Sequence, residues 1–287
     1  MRRAPRPKPS GLRRVLRWSL RLLITGLVLV ALLAGLSWYE VTHTKLARLE
    51  LTSAKITGRP LKVMQITDLH DLEYTSQRDD LIEMVAEQQP DLIALTGDFV
   101  NTETRDFGRL DVWFGKLAAL GIPMYAVPGN HDHWQGNLPG LEKMLESHGV
   151  QILADRHVSL DGEWGRLDLI GTDDYYTRRG NLAKAIAGAR PDAYQLVLTH
   201  APEIHKVLAT STADLAICGH THGGQIRLPW AGAIVAPGQP YFPEWDKGLY
   251  DVGRSWLYID SGVGQTVPVR LLDQSQITLI TVAPPGQ

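Results

Sequence analysis

Short apolar runs alternate with amphipathic segments along most of this chain. The runs at 61–67, 91–96 and 194–199 are rich in Leu, Ile and Val, and they predict buried strands. The segments at 107–120 and 138–147 repeat apolar residues at intervals of three and four, which is typical of helices that pack one face on a sheet. Strands that alternate with helices in this way predict an α/β domain.

The same alternation continues toward the C-terminus, where strands become more frequent. Further strands are predicted at 123–127, 150–153, 157–160, 166–170, 213–218, 249–252, 256–259 and 276–282. Further helices are predicted near 76–89, 181–187 and 204–208, and a first strand is predicted near 47–52. This excess of strands in the last part of the chain favours mixed sheets.

Polar motifs follow five of the predicted strands, each at the point where the apolar run ends. In chain order they are Asp68-Leu69-His70, Gly97-Asp98, Gly129-Asn130-His131-Asp132, Thr199-His200 and Gly219-His220-Thr221-His222. In open α/β sheets, ligands bind beyond the carboxyl ends of the strands, so these side chains are expected to meet in one site.

The side chains in these motifs are typical metal ligands. Asp68 and His70 are two residues apart, and on an extended strand they would point to the same side and reach one ion. His220 and His222 have the same spacing. Mixed Asp and His ligation suits Zn, Mn or Fe better than Ca. A pair of ions joined by a bridging carboxylate can clamp phosphate oxygens during hydrolysis.

The five motifs together resemble those of the calcineurin-like metallophosphoesterase superfamily, over residues 61–264. The stretch at 219–225 is similar to the membrane-anchored bacterial branch of that superfamily. The resemblance implies a four-layer αββα sandwich, in which two mixed β-sheets are flanked by helices. It also implies a dinuclear centre that holds two divalent metal ions.

The resemblance further implies a role for each motif residue. Ligands of the first metal would be Asp68, His70 and His222, with Asp98 as the bridge, and ligands of the second metal would be Asn130, His200 and His220. His131 resembles the non-ligand histidine that protonates the leaving oxygen or stabilises the phosphoryl charge. Asp132 is a weaker candidate, for orienting His131.

An uncharged apolar segment at 22–38 follows a basic N-terminus. Residues 1–21 contain eight Lys and Arg and no acidic residue. The segment is just long enough for a membrane-spanning helix, and the positive-inside rule would keep the N-terminus in the cytoplasm. The predicted organisation is a basic cytoplasmic tail (1–21), a transmembrane anchor (22–39), a connector (40–60) and an extracytoplasmic metallophosphoesterase domain (61–287).

Other interpretations of the N-terminal segment remain open from the sequence. A cleaved signal peptide would need a small-residue cleavage site, and no clear one follows the apolar run. Arg13-Arg14-Val15-Leu16 partly matches a twin-arginine export signal. A buried core helix is the third interpretation, and the basic flank argues against it.

Net charge and cysteine content exclude few classes of function. The formal net charge is −2, but the chain after residue 21 has 21 basic and 31 acidic residues, so no basic patch for nucleic acid is evident. Bound metal ions would neutralise part of this acidity. Cys218 is the single cysteine, so it cannot form an internal disulfide, and it is predicted to be buried.

An apolar loop rich in Pro and Gly follows the last motif. Residues 229–245 include several aromatic side chains. This loop would be either a substrate lip or membrane-contacting flap, or an insertion whose aromatic residues join the core.

The sequence therefore predicts a membrane-anchored, dinuclear-metal-dependent phosphoesterase. It would hydrolyse phosphodiester or pyrophosphate bonds through a metal-bound hydroxide, and its substrate would be a soluble or lipid-linked phosphate ester. A more specific alternative is a lipid-linked pyrophosphatase similar to UDP-2,3-diacylglucosamine hydrolase of lipid A synthesis. A non-catalytic metal-dependent scaffold is a further alternative, which the complete motif set argues against.

Overall fold

The computed structural model describes residues 11–73 and 78–286, so residues 1–10 of the predicted basic tail lie outside the described residues. A long helix, α1 (Gly11–Thr42), comes first and is followed by alternating strands and helices. α1 is the one helix in the described part that is long and apolar enough to cross a membrane. Only Glu40 and Val41, near its end, are buried in the protein.

The strands and helices fall close to their predicted positions. The strands are β1 (Lys45–Thr52), β2 (Leu61–Ile66), β3 (Leu92–Leu95), β4 (Met124–Ala126), β5 (Val150–Ile152), β6 (Arg156–Gly162), β7 (Gly165–Gly171), β8 (Tyr194–Leu198), β9 (Leu215–Cys218), β10 (Arg227–Leu228), β11 (Gly232–Ala233), β12 (Gly248–Val252), β13 (Ser255–Ile259) and β14 (Gln276–Ala283). The helices after α1 are α2 (Arg78–Gln88), α3 (Gly108–Ala118), α4 (Asn130–Trp134), α5 (Leu138–Ser147), α6 (Leu182–Ile186) and α7 (His205–Leu208).

Twelve of these strands form two six-stranded mixed sheets. The first sheet has the order β1-β14-β2-β3-β4-β5, and the second has the order β12-β13-β9-β8-β7-β6. β2 to β5 run parallel to one another, as do β7, β8, β9 and β13. Antiparallel pairs occur between β14 and β2, between β12 and β13, and between β6 and β7.

Three apolar clusters hold the layers together. The central cluster lies between the sheets and joins residues such as Val63 and Ala94 of the first sheet to Leu196 and Ile217 of the second. The outer face of the first sheet packs on α2, α3 and α5, and that of the second packs on α6 and α7. Both faces of each sheet are therefore covered, and the predicted four-layer αββα sandwich is confirmed.

The segment at 40–60, expected as a connector, is part of the folded domain. All eight residues of β1 pair in parallel with β14 at the edge of the first sheet. Only His43 and Thr44 separate α1 from β1. The helix therefore joins the domain directly rather than through an extended linker of about twenty residues, and its position beside the domain is fixed by the sheet.

Candidate metal centre

The carboxyl ends of five parallel strands bring the five motifs together. β2, β3 and β4 are neighbours in the first sheet, and β8 and β9 are neighbours in the second. The motif residues form two groups, in each of which the ligand atoms lie within 4.8 Å of one another. The first Asp/His group is Asp68, His70 and His222, and the second Asp/His group is Asp98, His200 and His220.

Asp98 lies between the two Asp/His groups. Its Oδ2 is 3.2 Å from His200 Nε2 and 3.8 Å from His70 Nε2, so the same oxygen faces a histidine of each group. Its Oδ1 accepts a hydrogen bond of 2.8 Å from the backbone N–H of His131. One carboxylate can therefore serve both groups.

The second Asp/His group brings together acceptor atoms that a proton or a metal ion can bridge. His200 Nδ1 donates to the carbonyl oxygen of Thr96 at 2.8 Å, so in the neutral ring the Nε2 atom carries a lone pair. That lone pair faces Asp98, and the Asn130 side-chain oxygen lies 3.1 Å from the same Nε2. Lone pairs that face one another repel unless a proton or metal ion lies between them. Nε2 of His220 is buried and has no hydrogen-bond partner.

The first Asp/His group shows the same arrangement. His70 Nδ1 donates to Asn101 Oδ1 at 3.0 Å, because the amide nitrogen of Asn101 is turned toward other acceptors. The Nε2 atoms of His70 and His222 then face each other at 3.3 Å, with Asp68 Oδ1 3.7 Å from His222 Nε2. The Nδ1 atom of His222 is buried without a partner. The donor atoms of both groups therefore fit divalent metal ions.

Burial shifts the pKa values of several side chains in these two groups. It lowers the pKa of His70 to about 4 and that of His220 to about 3, so both rings are neutral and offer lone pairs. Burial raises the pKa of Asp68 to about 7, and the nearby Asp98 carboxylate acts in the same direction. For Asp98, burial is outweighed by the charge and hydrogen bond of His200, which lower its pKa below the usual range.

Left-handed backbone conformations aim most of these side chains. The φ angles are 54° at Asp68, 45° at His70, 53° at Asp98, 72° at His220 and 49° at His222. Asp68 and His70 therefore belong to one group, as predicted, but left-handed backbone rather than an extended strand brings them together. His220 and His222 have the same spacing but belong to different groups. Non-glycine residues in this conformation are strained, and such strain collects at functional sites.

Glycine is required where the loops approach the carboxylates. A Cβ atom at Gly219 would collide with the Asp68 carboxylate, and one at Gly129 would collide with the Asp98 carboxylate. These two glycines thus permit the backbone of the loops after β9 and β4 to lie against acidic side chains of the loops after β2 and β3.

Asp132 does not orient His131, and that weaker assignment needs correction. Its carboxylate accepts four backbone hydrogen bonds, from the N–H groups of Asp98 (2.9 Å), Phe99 (2.9 Å), Val100 (3.3 Å) and Gly129 (2.8 Å). Asp132 therefore ties the loop after β3 to the loop after β4. His131 instead has its Nδ1 atom 3.1 Å from the hydroxyl of Thr102.

A cavity of about 370 Å³ opens beside the two groups, and His131 is among its lining residues. Trp134 and Tyr176 also line it, with ring centroids 6.0 Å apart, and Tyr176 lies 4.4 Å from the ring of His220. Neither aromatic residue is marked as part of the site by a sequence motif. Trp134 lies three residues after His131 and could have been found as part of a short helix, but Tyr176 belongs to a loop with no motif of its own.

The loop at 229–245 combines features of both interpretations. Trp245 stacks on His205 with centroids 4.4 Å apart, and Ala233 and Ala236 are buried. Residues 235–237 line the cavity, whereas the aromatic side chains at 230, 241 and 242 are exposed. Part of this loop therefore joins the interior, part forms the lip of the cavity, and part faces outward.

A sandwich of two mixed sheets with Asp and His side chains gathered at their strand ends is typical of metal-dependent hydrolases. The chain belongs to the calcineurin-like phosphoesterase family, whose model matches residues 61–224. That match covers all five motifs and confirms the resemblance seen in the sequence.

Relatives in distant organisms support the same assignment. An uncharacterized metallophosphoesterase of Bacillus subtilis, YkoQ, is 32% identical over 225 residues, which are 77% of this chain and 83% of the relative. The phosphodiesterase YaeI of Escherichia coli is 30% identical over 252 residues, which are 85% and 88% of the two chains. A bovine transmembrane protein with a metallophosphoesterase domain is 29% identical over 78% of this chain and 54% of its own length. The chain is a metal-dependent phosphoester hydrolase.

Proposed function

We propose that this protein is a membrane-anchored phosphoesterase that uses two divalent metal ions to hydrolyse phosphodiester or pyrophosphate bonds. The observation that carries the proposal is the position of Asp98, whose Oδ2 faces one histidine of each Asp/His group. A shared carboxylate between two sets of histidines is the arrangement that a pair of close metal ions requires.

The donor set supports Mn, Fe or Zn as the bound ions. One ion would be held by Asp68, His70 and His222. The other would be held by Asn130, His200 and His220, and Asp98 would bridge the two ions. When bound, the pair of ions supplies Lewis acidity that polarises the phosphoryl group and lowers the pKa of water.

The protein's own side chains complete the reaction. His131 lines the cavity and belongs to neither Asp/His group, so its ring is available for proton transfer. Thr102 holds one ring nitrogen, which leaves the other to protonate the leaving oxygen or stabilise charge on it. Trp134 and Tyr176 flank the cavity and would position the group that the phosphate carries.

A location outside the cytoplasm follows from the N-terminal charges. With eight basic residues before the apolar part of α1, the positive-inside rule keeps residues 1–21 in the cytoplasm and carries the domain across. The bovine relative is named as a transmembrane protein, which agrees with a membrane anchor. YaeI is named as a phosphodiesterase, which agrees with a phosphodiester substrate. A lipid-linked pyrophosphate is the second candidate, favoured by exposed apolar residues at the cavity lip such as Val235.

Metal analysis and hydrolysis by the detergent-purified full chain test this proposal. We expect about two transition-metal ions per chain and faster hydrolysis of bis(4-nitrophenyl) phosphate or a nucleotide sugar than of 4-nitrophenyl phosphate. Asp98→Asn should lose both ions and activity, whereas Asp251→Asn, at an exposed strand position, should retain both. An active chain that resists chelators and holds one ion or none would refute the proposal.

A further inference from the structure

A second apolar segment lies next to the cavity and faces outward. Residues 266–272 (Thr-Val-Pro-Val-Arg-Leu-Leu) contain one charged side chain, Arg270. The guanidinium of Arg270 is fully buried and donates to the carbonyl oxygens of Ser261 and Gly264, both at 2.9 Å. The outward face of the segment is therefore uncharged, and Val267 and Leu272 are 55% and 54% exposed.

This segment lies against the apolar part of α1. The backbone N–H of Arg270 donates to Ser37 Oγ at 3.2 Å. A cleft of about 660 Å³ between the two elements is lined by Val30, Leu33, Ala34, Ser37, Trp38 and Val41 on the helix and by Pro268, Val269 and Leu271 on the segment. From residue 30 to residue 38 a helix rises about 12 Å. The segment thus lies alongside the last third or more of the predicted membrane span.

A short hairpin extends the same apolar surface. Leu271 donates to the carbonyl oxygen of Gln225 at 2.8 Å and accepts from the N–H of Arg227 at 3.0 Å, which attaches β10 to the segment. β10 and β11 form a two-stranded hairpin whose tip carries a fully exposed Trp230. Residues 228–243 contain no charged side chain. Exposed tryptophan and leucine in uncharged loops are typical of segments that enter a membrane interface.

We propose that residues 266–272 and the hairpin tip at 228–231 form a second membrane-contact surface, which is immersed in the leaflet that surrounds the end of α1. The occupant of the cleft is then a lipid acyl chain. Continuity with the span argues for lipid rather than a protein partner, because any bilayer that covers Val30 to Trp38 also reaches the segment. An apolar face of this kind in water would otherwise be unfavourable.

The contact surface is joined to the candidate metal centre. Thr266 and Gln225 line the cavity, and Gln225 Nε2 donates to the carbonyl oxygen of Val267 at 2.9 Å. The cavity mouth therefore lies beside the membrane surface. On the basis of the proposed function, the substrate class would be phosphoesters or pyrophosphates of membrane lipids, whose headgroups enter the cavity while their chains stay in the bilayer.

Site-directed spin labels on the full chain test the membrane contact without any need for catalysis. Cys218 is buried, so cysteines introduced as Val269→Cys, Leu272→Cys and Trp230→Cys can be labelled selectively. Val112→Cys, at an exposed position of α3, is the matched control. The labelled chains are reconstituted in phosphatidylcholine–phosphatidylglycerol vesicles, and relaxation by oxygen is compared with relaxation by a water-soluble chromium complex.

We expect the ratio of oxygen to chromium relaxation at 269, 272 and 230 to exceed that at 112 by about tenfold, because oxygen concentrates in the bilayer and the complex is excluded. Equal ratios at all four positions would overturn the proposal. A label-free measurement guards against misfolded variants. Brominated lipids should quench the fluorescence that Trp230 adds over a Trp230→Phe chain, and no quenching would also overturn it.

A comparison of two substrates tests the lipid substrate class separately from the membrane contact. The full chain in vesicles should hydrolyse a lipid pyrophosphate or phospholipid at least about tenfold faster than a short-chain soluble analogue at equal concentration, since the bilayer concentrates the substrate at the cavity. If the labels are immersed in the bilayer but the enzyme does not prefer the lipid substrate, the lipid substrate class is wrong and the membrane contact stands. Failure of both substrates would instead count against the proposed function.

Discussion

Two histidines in the candidate metal centre are fixed in direction by a hydrogen-bond partner. Thr96 holds His200 and Asn101 holds His70, each through the ring nitrogen that faces away from the centre. Such partners choose the tautomer and orient the lone pair, and replacing one typically lowers metal affinity or activity by about 10- to 100-fold. The left-handed backbone at Asp68 and four other ligands costs about 1 kcal/mol or more at each residue, which the surrounding hydrogen bonds must offset.

His131 is the residue whose role can be separated from metal binding. We expect His131→Ala to retain both metal ions and to lose about 10²- to 10⁴-fold in turnover on esters with poor leaving groups. The loss should be smaller for nitrophenyl esters, whose leaving oxygen needs little protonation. Metal content and turnover are measured together, with His148→Ala, a half-buried histidine at the end of α5, as the control. A parallel loss of metal and activity would instead make His131 a ligand.

The residue types of the centre could be predicted from the sequence, but their partners could not. Asp68, His70, Asp98 and the later histidines stand out because each follows an apolar run. Thr96, Asn101 and Asp132 act on side chains or loops brought close only by the fold, so no local spacing marks them. Tyr176 is of the same kind, since it reaches the cavity from the loop after β7.

At the scale of elements, the strands were predictable because each buried strand is a nearly continuous apolar run. β2 and β8 each end one residue before their predicted ranges, and β3 is one residue shorter at both ends. The elements that were missed are short. α4 spans five residues and begins within the Gly-Asn-His-Asp motif, and β10 and β11 have two residues each, which is too few for a periodic pattern. The left-handed backbone of the turns after the strands could not be predicted either, because non-glycine residues adopt this conformation only when tertiary contacts impose it.

Asp132 joins two of these elements, and its substitution should affect both. Asp132→Asn replaces one acceptor oxygen by an NH₂ group that faces backbone donors. We therefore expect the free energy of unfolding to fall by about 2–3 kcal/mol. Metal affinity should also fall, because the loop that carries Asp98 is released.

Denaturant unfolding of the metal-free chain and metal titration provide the two measurements for Asp132. Asp251→Asn, at an exposed position on β12, controls for the loss of one negative charge. Unchanged stability and unchanged metal affinity would show that the four backbone hydrogen bonds are not needed to hold the loops together.

At the scale of the whole molecule, the end of α1 is packed on the domain. Glu40, near the end of α1, is buried; its Oε2 accepts from the N–H of Asp273 at 3.1 Å, and its carbonyl oxygen accepts from the N–H of Ser275 at 3.0 Å. Gln274 Nε2 also donates to the carbonyl oxygen of His43 at 3.0 Å. The sequence suggested a tether, because neither the pairing of β1 with β14 nor the burial of Glu40 has a local signal.

The side chain of Glu40 should therefore control how firmly the domain is held on its anchor. Glu40→Ala leaves the N–H of Asp273 without its acceptor, at a cost of about 1–3 kcal/mol. Hydrogen exchange at Asp273 and Ser275 in vesicle-bound protein should accelerate by about tenfold or more, whereas exchange in the central strand β8 should not change. Glu40→Gln keeps an acceptor oxygen and should behave nearly as the unsubstituted chain. If Glu40→Ala leaves exchange at both amides unchanged, the helix end does not hold the domain, and the orientation of the cavity must be set by other contacts.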